Sequence, residues 1–312
     1  RVAQSQRRPR LKGPRRGVHV QVAWPSWTHA AIAAREEFVG GAGASRLVSG
    51  TESRHVALEP ALAKWKRAPA AISFSSGYAA AVGTLPALAS KQDVIILDKL
   101  CHASLIDGAR LSGATVRVFP HNHLGKLESH LEWAQREHPE ARVVVVTESV
   151  FSMDGDRAPL RELIELKKRF HALLLLDEAH AIGVVGEHGR GLAAELGLEK
   201  EVDLQMGTLS KSLGVSGGYI CGSRSLVDWL INRARSFVFS TAPPPAMAAA
   251  ATAAIHFLIS DEGEARRKTL WHRIVQLRKM LPEGGAAFGK PGAAIIPWMV
   301  GDEQRALDLA QA

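Results

Sequence analysis

The stretch "LLLLDEAH", Leu173–His180, sets four leucines against two carboxylates and a histidine. Consecutive leucines ending on an aspartate read as a strand buried on both faces, as in a parallel sheet covered by helices. The pattern recurs upstream. "VIILD" (Val94–Asp98), "TVRVFP" (Thr115–Pro120) and "VVVVTES" (Val143–Ser149) read as buried strands. Between them, "KLESHLEWAQREH" (Lys126–His138) and "PLRELIELKKRFH" (Pro159–His171) carry apolar residues at helical spacing. The expected class is α/β with a mostly parallel sheet. Ligands gather at the carboxyl ends of such strands. Three ends here deliver polar groups: Asp98 with His102, Glu148 and Ser149 before Ser152, and Asp177 with His180. Downstream, "YICGS" (Tyr219–Ser223) reads as a short strand, followed by helices over Leu226–Phe237, Pro245–Ile259 and Glu264–Met280. "AAIIPWMVG" (Ala293–Gly301) reads as a strand and "DEQRALDLAQA" as the start of a helix.

A chain of 312 residues with 46% hydrophobic content can bury a sizeable core and hold more than one domain. It has no run of about 18 apolar residues, so no membrane span is expected. The alanine-rich "PAMAAAATAAIHFLIS" (Pro245–Ser260) reads as a packed helix. No secretion leader is visible, and two cysteines, Cys101 and Cys221, suit a reducing cytoplasm. The net charge of +8 is concentrated: seven basic residues and no acidic one lie in "RVAQSQRRPRLKGPRR". That stretch reads as part of a disordered arm over residues 1–28, with a contact to RNA or phosphate as the alternative. With the rest of the chain near neutral, no nucleic-acid partner is expected.

Asp-Glu-Ala-His also occurs where helicase-type ATPases hold Mg²⁺. Those enzymes need a G-x-x-x-x-G-K-[ST] phosphate loop. Here Gly125-Lys126 and Gly289-Lys290 are followed by leucine and proline, so the cluster has no triphosphate to serve and no metal is expected. "GVSGG" (Gly214–Gly218) fits a nucleophile elbow, but it precedes a strand instead of following one. Ser216 is then a turn serine. "GGAG" (Gly40–Gly43) is too incomplete for a dinucleotide fingerprint, and Cys101 reads as buried filler.

The decisive lysine is Lys211, in "GTLSKSLGVSGG" (Gly207–Gly218). Small and hydroxylic neighbours leave room for a large group and offer phosphate donors. A desolvated lysine loses basicity and becomes a Schiff-base former. Asp177 then acquires a task, since pyridoxal phosphate needs a carboxylate at its ring nitrogen. "FSSGYAA" (Phe74–Ala80) turns from an apolar run into a helix through Ser75-Ser76-Gly77, and backbone N–H groups there suit a phosphate.

Together these residues resemble the α-oxoamine synthases, fold-type I pyridoxal-phosphate enzymes that condense an amino acid with an acyl-CoA. The resemblance runs from about Gly40 to Met247 and more faintly beyond. It is carried by "GAGASRLVSGT", "FSSGYAA", "DKLCHASLIDG", "TESVFSMDGDRAPL", "LLLLDEAHAIGVVGEHGRG", "GTLSKSLGVSGGY" and "FVFSTAPPPA". The resemblance implies the aspartate aminotransferase-like fold, with a large cofactor domain over 29–244 and a smaller α/β domain over 245–312. It implies that Lys211 carries the cofactor and shuttles a proton, Asp177 pairs with the ring nitrogen, His180 bonds the phenolic oxygen and His102 stacks on the ring. Ser152 would lie beside the cofactor. Gly77, Tyr78 and Thr208 would hold its phosphate, and Ser240 and Thr241 would reach the phosphate of a partner in a homodimer with shared sites. "GASRLVSG" and "SMDGD" with the following "PL" most resemble the branch that joins L-alanine to a pimeloyl thioester in biotin synthesis, with CoA or a carrier protein as donor. A sister enzyme using glycine and acetyl-CoA, or a cofactor-binding protein of little activity, is the alternative.

Three departures from the family stand out. Ala81 replaces an asparagine four residues after the phosphate-loop glycine. No Asn-x-Tyr-Leu-Gly stretch precedes "THAAIAAREEF" (Thr28–Phe38), and no arginine segment for the amino-acid carboxylate is present. The expectation is a chain truncated at both ends that binds the cofactor and turns over poorly.

Overall fold

The structure, a computed structural model, describes residues 25–37, 40–280, 292–297 and 302–311. Among the described residues, seven strands form one sheet: β1 (Ala70–Phe74), β2 (Val94–Asp98), β3 (Thr115–Phe119), β4 (Val143–Glu148), β5 (Leu173–Asp177), β6 (Leu204–Thr208) and β7 (Gly218–Gly222). Their order is β1-β7-β6-β5-β4-β2-β3. β7 runs antiparallel to β1 and β6, while the other pairings are parallel. The chain lays β3 on one side of β2 and returns to lay β4 on the other. The strand order therefore reverses between β2 and β4, and the crevice outside their carboxyl ends is where an open α/β sheet takes ligands.

Strand pleating divides the apolar residues between two cores. Ile95, Leu97, Val144, Val146 and Leu175 face one, covered by the Gly77–Leu88 and Ala103–Ser112 helices. Val94, Ile96, Val145, Leu174 and Leu176 face the other, under the helices Leu124–Glu137 and Leu160–Arg169. A third cluster sets Leu58 and Leu62 of the Ser53–Trp65 helix and Ala251 and Ile255 of the Pro245–Leu258 helix around Tyr219 and Cys221. Pro245–Leu258 thus joins this cluster, packed on the Ser53–Trp65 helix. Among the described residues, no helix is long and apolar enough to cross a membrane.

β2, β4 and β5 fall where the sequence patterns place them, and β3 does so with one correction. "TVRVFP" reads as buried, yet β3 is an edge strand with only Phe119 buried. The Arg117 guanidinium instead lies over the Trp133 ring, 4.0 Å from its centroid. The helix expected over Leu226–Phe237 breaks at Ala234 (φ −70°, ψ 102°) into Arg224–Arg233 and Arg235–Val238. Of the strand expected over 293–301, the described residues 293–297 form none. β1 and β6 escape the pattern because "AAISF" is alanine-rich and "LQMGT" mixes Gln and Gly into its run. A helix, Pro25–Glu37, begins inside the segment read as the basic arm; residues 1–24 lie outside the described ones.

Candidate active site

Two chain reversals, after β5 and after β6, build the core of the site. β5 ends on Asp177, and the following turn is held by Ala181 and Ile182 N–H groups donating to the Glu178 carbonyl at 2.9 and 3.0 Å. Both residues are buried, which fixes His180 between them and Asp177. β6 ends on Thr208, and the return to β7 is pinned by Leu209 N–H to Gly217 O and Val215 N–H to Leu209 O, both 2.9 Å. With Leu209, Leu213 and Val215 sunk in the third cluster, Lys211 is carried outward. Its Nζ meets His180 Nε2 at 2.8 Å.

Electrostatics at this junction are unbalanced. Partial burial of the Lys211 amine lowers its pKa, opposed by Asp177 and Glu148. His180 is pushed down to about 4, first by burial and then by Lys211 and His102, so its ring is neutral near pH 7. The Asp177 carboxyl is raised by burial, against the Ala179 N–H it accepts at 2.9 Å and the nearby Lys211 and His102. Groups displaced from their ordinary values in a crevice make this the candidate site.

The other candidates divide into two sets. His102 caps the Ala103–Ser112 helix, where its Nδ1 accepts the Ser104 N–H at 3.2 Å and pairs with Ser104 Oγ at 2.8 Å. Its backbone N–H donates to Glu148 Oε1 at 2.5 Å. Gly77 and Tyr78 open the Gly77–Leu88 helix, capped by Ser76 Oγ accepting from Ala79 N–H at 3.0 Å. Thr208 closes on this helix start: a Cβ at Gly77 would stand 3.3 Å from the Thr208 Cβ. A Cβ at Gly218 would stand 2.6 Å from the Gly77 nitrogen. Tyr78 turns its own hydroxyl outward to Asp107 at 2.9 Å. Ser152 lies half-buried in the turn after β4. Ser240 and Thr241 belong to a separate narrow cleft shared with Ser73 and Ser75. Ala81 is fully buried in the first core and offers no polar group.

Two further carboxylates near the strand ends, Glu178 and Asp98, are structural. Glu178, fully buried, pairs with the buried Lys66 ammonium, which also donates to the Arg190 carbonyl; its Oε1 accepts the Ala193 N–H at 3.0 Å. Asp98 accepts the Leu100 and Asn122 N–H groups at 2.8 Å and a His121 Nδ1 contact at 3.0 Å. Asp98 thus ties the end of β2 to the turn that follows β3. Glu148 is the residue sequence reading leaves without a role, although its place at a strand end was the signal.

These features fit pyridoxal phosphate. The first N–H groups of the Gly77–Leu88 helix have no partner inside the helix, the arrangement that receives a phosphate, and Thr208 lies against Gly77 beside them. A buried acid, a neutral histidine and a lysine of lowered basicity stand together nearby. Lys211 also lines a cavity of about 720 Å³, walled by Ser212, Val215, Met247, Leu258 and Arg267.

The chain belongs to the aminotransferase class I and II family, whose model matches residues 23–312. It is a fold-type I, pyridoxal-phosphate-dependent transferase fold. Among its relatives is an 8-amino-7-oxononanoate synthase of Geobacter sulfurreducens, 47% identical over 91% of this chain and 72% of that protein. One from Pelobacter propionicus is 45% identical over 92% and 73%. A serine palmitoyltransferase structure from S. paucimobilis with bound PLP superposes with a TM-score of 0.84, at 33% identity over 90% of this chain and 72% of that one.

Proposed function

We propose that this chain joins L-alanine to a pimeloyl thioester, of CoA or a carrier protein, releasing CO₂ and the free thiol and giving 8-amino-7-oxononanoate for biotin synthesis. The observation that carries the reading is the 2.8 Å approach of Lys211 Nζ to His180 Nε2 beside the buried Asp177. Relatives of that name at 45–47% identity support the substrate pair.

Bound at this site, pyridoxal phosphate supplies an electron sink for the carbanion formed at the amino acid's Cα. Asp177 would pair with the ring nitrogen and keep it protonated. Neutral His180 would bond the phenolic oxygen, and the His102 ring would cover the ring face. Gly77 and Tyr78 N–H groups with Thr208 would hold the phosphate. Lys211 would anchor the aldehyde carbon and then, as a free amine of lowered basicity, take and return the Cα proton. Ser152 would border the cofactor.

The same reading makes the protein a homodimer whose sites are shared, with Ser240 and Thr241 facing the partner's phosphate. Exposed Leu47, Val48 and Phe239 support it, since they flank the bridge between Ser45 and Thr241 that borders the second cleft. It divides the chain into a cofactor domain over 29–244 and a C-terminal domain from 245. It also places the protein in the cytoplasm, supported by Cys101 and Cys221 being buried free thiols.

Borohydride trapping after loading with cofactor, followed by peptide mapping, is expected to label Lys211; an unlabelled Lys211 overturns the site. Thiol release from pimeloyl-, acetyl- and palmitoyl-CoA with alanine, glycine and serine is expected to be fastest for alanine with pimeloyl-CoA. A different fastest pair overturns the substrate assignment.

A further inference from the structure

Glu148 is a buried acid at the site to which the reading above assigns no task. It stands level with Asp177 in the parallel register of β4 and β5. Residues level on neighbouring strands project to the same side, from backbones about 4.8 Å apart. Glu148 is 2% exposed and Asp177 4%, so two carboxyl groups share one dry corner. Two like charges so placed do not ionise independently.

Every element packed around Glu148 contributes to its charge state. Asp177 faces it from β5, Asp98 from the end of β2, and Lys211 from the loop after β6. The His102 N–H donates to it from the helix start, at 2.5 Å. The Cys101 thiol beside it is pushed up by burial and then by Glu148. Burial, followed by Asp177, raises the Glu148 carboxyl to about 8, with the His102 N–H and Lys211 opposing.

We infer that Glu148 is a positioning acid: it stays neutral, holds the His102 backbone through one oxygen, and leaves the negative charge of the carboxyl pair on Asp177. This rests on the assignment of Asp177 and His102 to the cofactor. Ionising Glu148 adds a second anion near Lys211, favours its ammonium form and removes the free amine. Turnover therefore declines as pH rises through about 8.

The test uses the cofactor-loaded protein, wild type and Glu148→Gln, which keeps the acceptor for the His102 N–H but cannot ionise. Infrared spectra with [¹³C]glutamate labelling are expected to show a protonated carboxyl band near pH 7 that bleaches with a midpoint near 8 in wild type and is absent in Glu148→Gln. The variant's rate profile is expected to lose its decline around pH 8. Glu148→Ala, which leaves the His102 N–H without its partner, is expected to lose up to about 100-fold in kcat across the whole pH range. No labelled band near pH 7 in wild type, or an alkaline decline unchanged in Glu148→Gln, overturns the inference. Trapping on the same samples separates the causes. If Lys211 is labelled while the band is missing, only the Glu148 inference falls; if Lys211 is unlabelled, the site assignment falls with it.

Discussion

Asp177 and Glu178 are neighbours in sequence and both buried, yet they belong to opposite kinds of environment. Glu178 has its charge met in full, by the Lys66 ammonium and the Ala193 N–H, in a closed pocket that also fixes the Arg190 carbonyl. Asp177 has one backbone N–H, lies level with a second acid, and faces an amine of lowered basicity. A balanced buried pair holds a loop in place; an unbalanced group keeps capacity for a ligand that is still to arrive.

The sharpest way to break this contrast is to remove the amine from the unbalanced side. Lys211→Ala is expected to lower turnover by about 10⁴-fold with little change in thermal unfolding, since the residue is largely exposed and only its amine end is partly buried. A comparable loss of folding stability would show that Lys211 is structural after all. On the balanced side, Lys66→Met should cost about 3–5 kcal/mol in denaturant unfolding, because it strands the Glu178 carboxylate. Adding Glu178→Leu should recover much of that loss; continued destabilisation would mean that the pocket depends on the pair itself.

Asp177→Asn tests both halves of the comparison at once. Its kcat is expected to fall about 10²–10³-fold with stability kept or raised, since an uncompensated buried carboxylate is a burden on the fold. A large drop in unfolding midpoint would place Asp177 with Glu178. The smallest effect is expected in acid stability. His180 has a folded pKa near 4 against an ordinary 6.5, so the unfolded chain takes up the proton first. Stability should fall as pH drops from about 6.5 and level off below about 4, by an amount moderated by the half-exposed ring. His180→Asn should flatten that interval in a urea titration series, and an unchanged slope would assign it to other groups.

Much of the sheet was legible because β2, β4 and β5 are buried on both faces and so consist of unbroken apolar runs. β1 and β6 were not, since alanine, glycine and glutamine pack inside only when neighbours supply the bulk, and those neighbours come from distant helices. The same holds for β3, whose valines look buried until its edge position is known.

For the site, residue type and spacing singled out Asp177, His180 and Lys211 as candidates, and the fold brings Lys211 Nζ to 2.8 Å from His180 Nε2. A strand-terminal acid, a histidine three residues on and a lysine among small hydroxylic residues carry their meaning in residue type and spacing. Only the tertiary structure decided which acid does what. Glu178 finds Lys66 across 112 positions, and Asp98 finds His121 in the turn after β3. Glu148 is set level with Asp177 by strand register. Charge state depends on burial and on partners brought from elsewhere in the chain, and a string of residues contains neither until the sheet has formed.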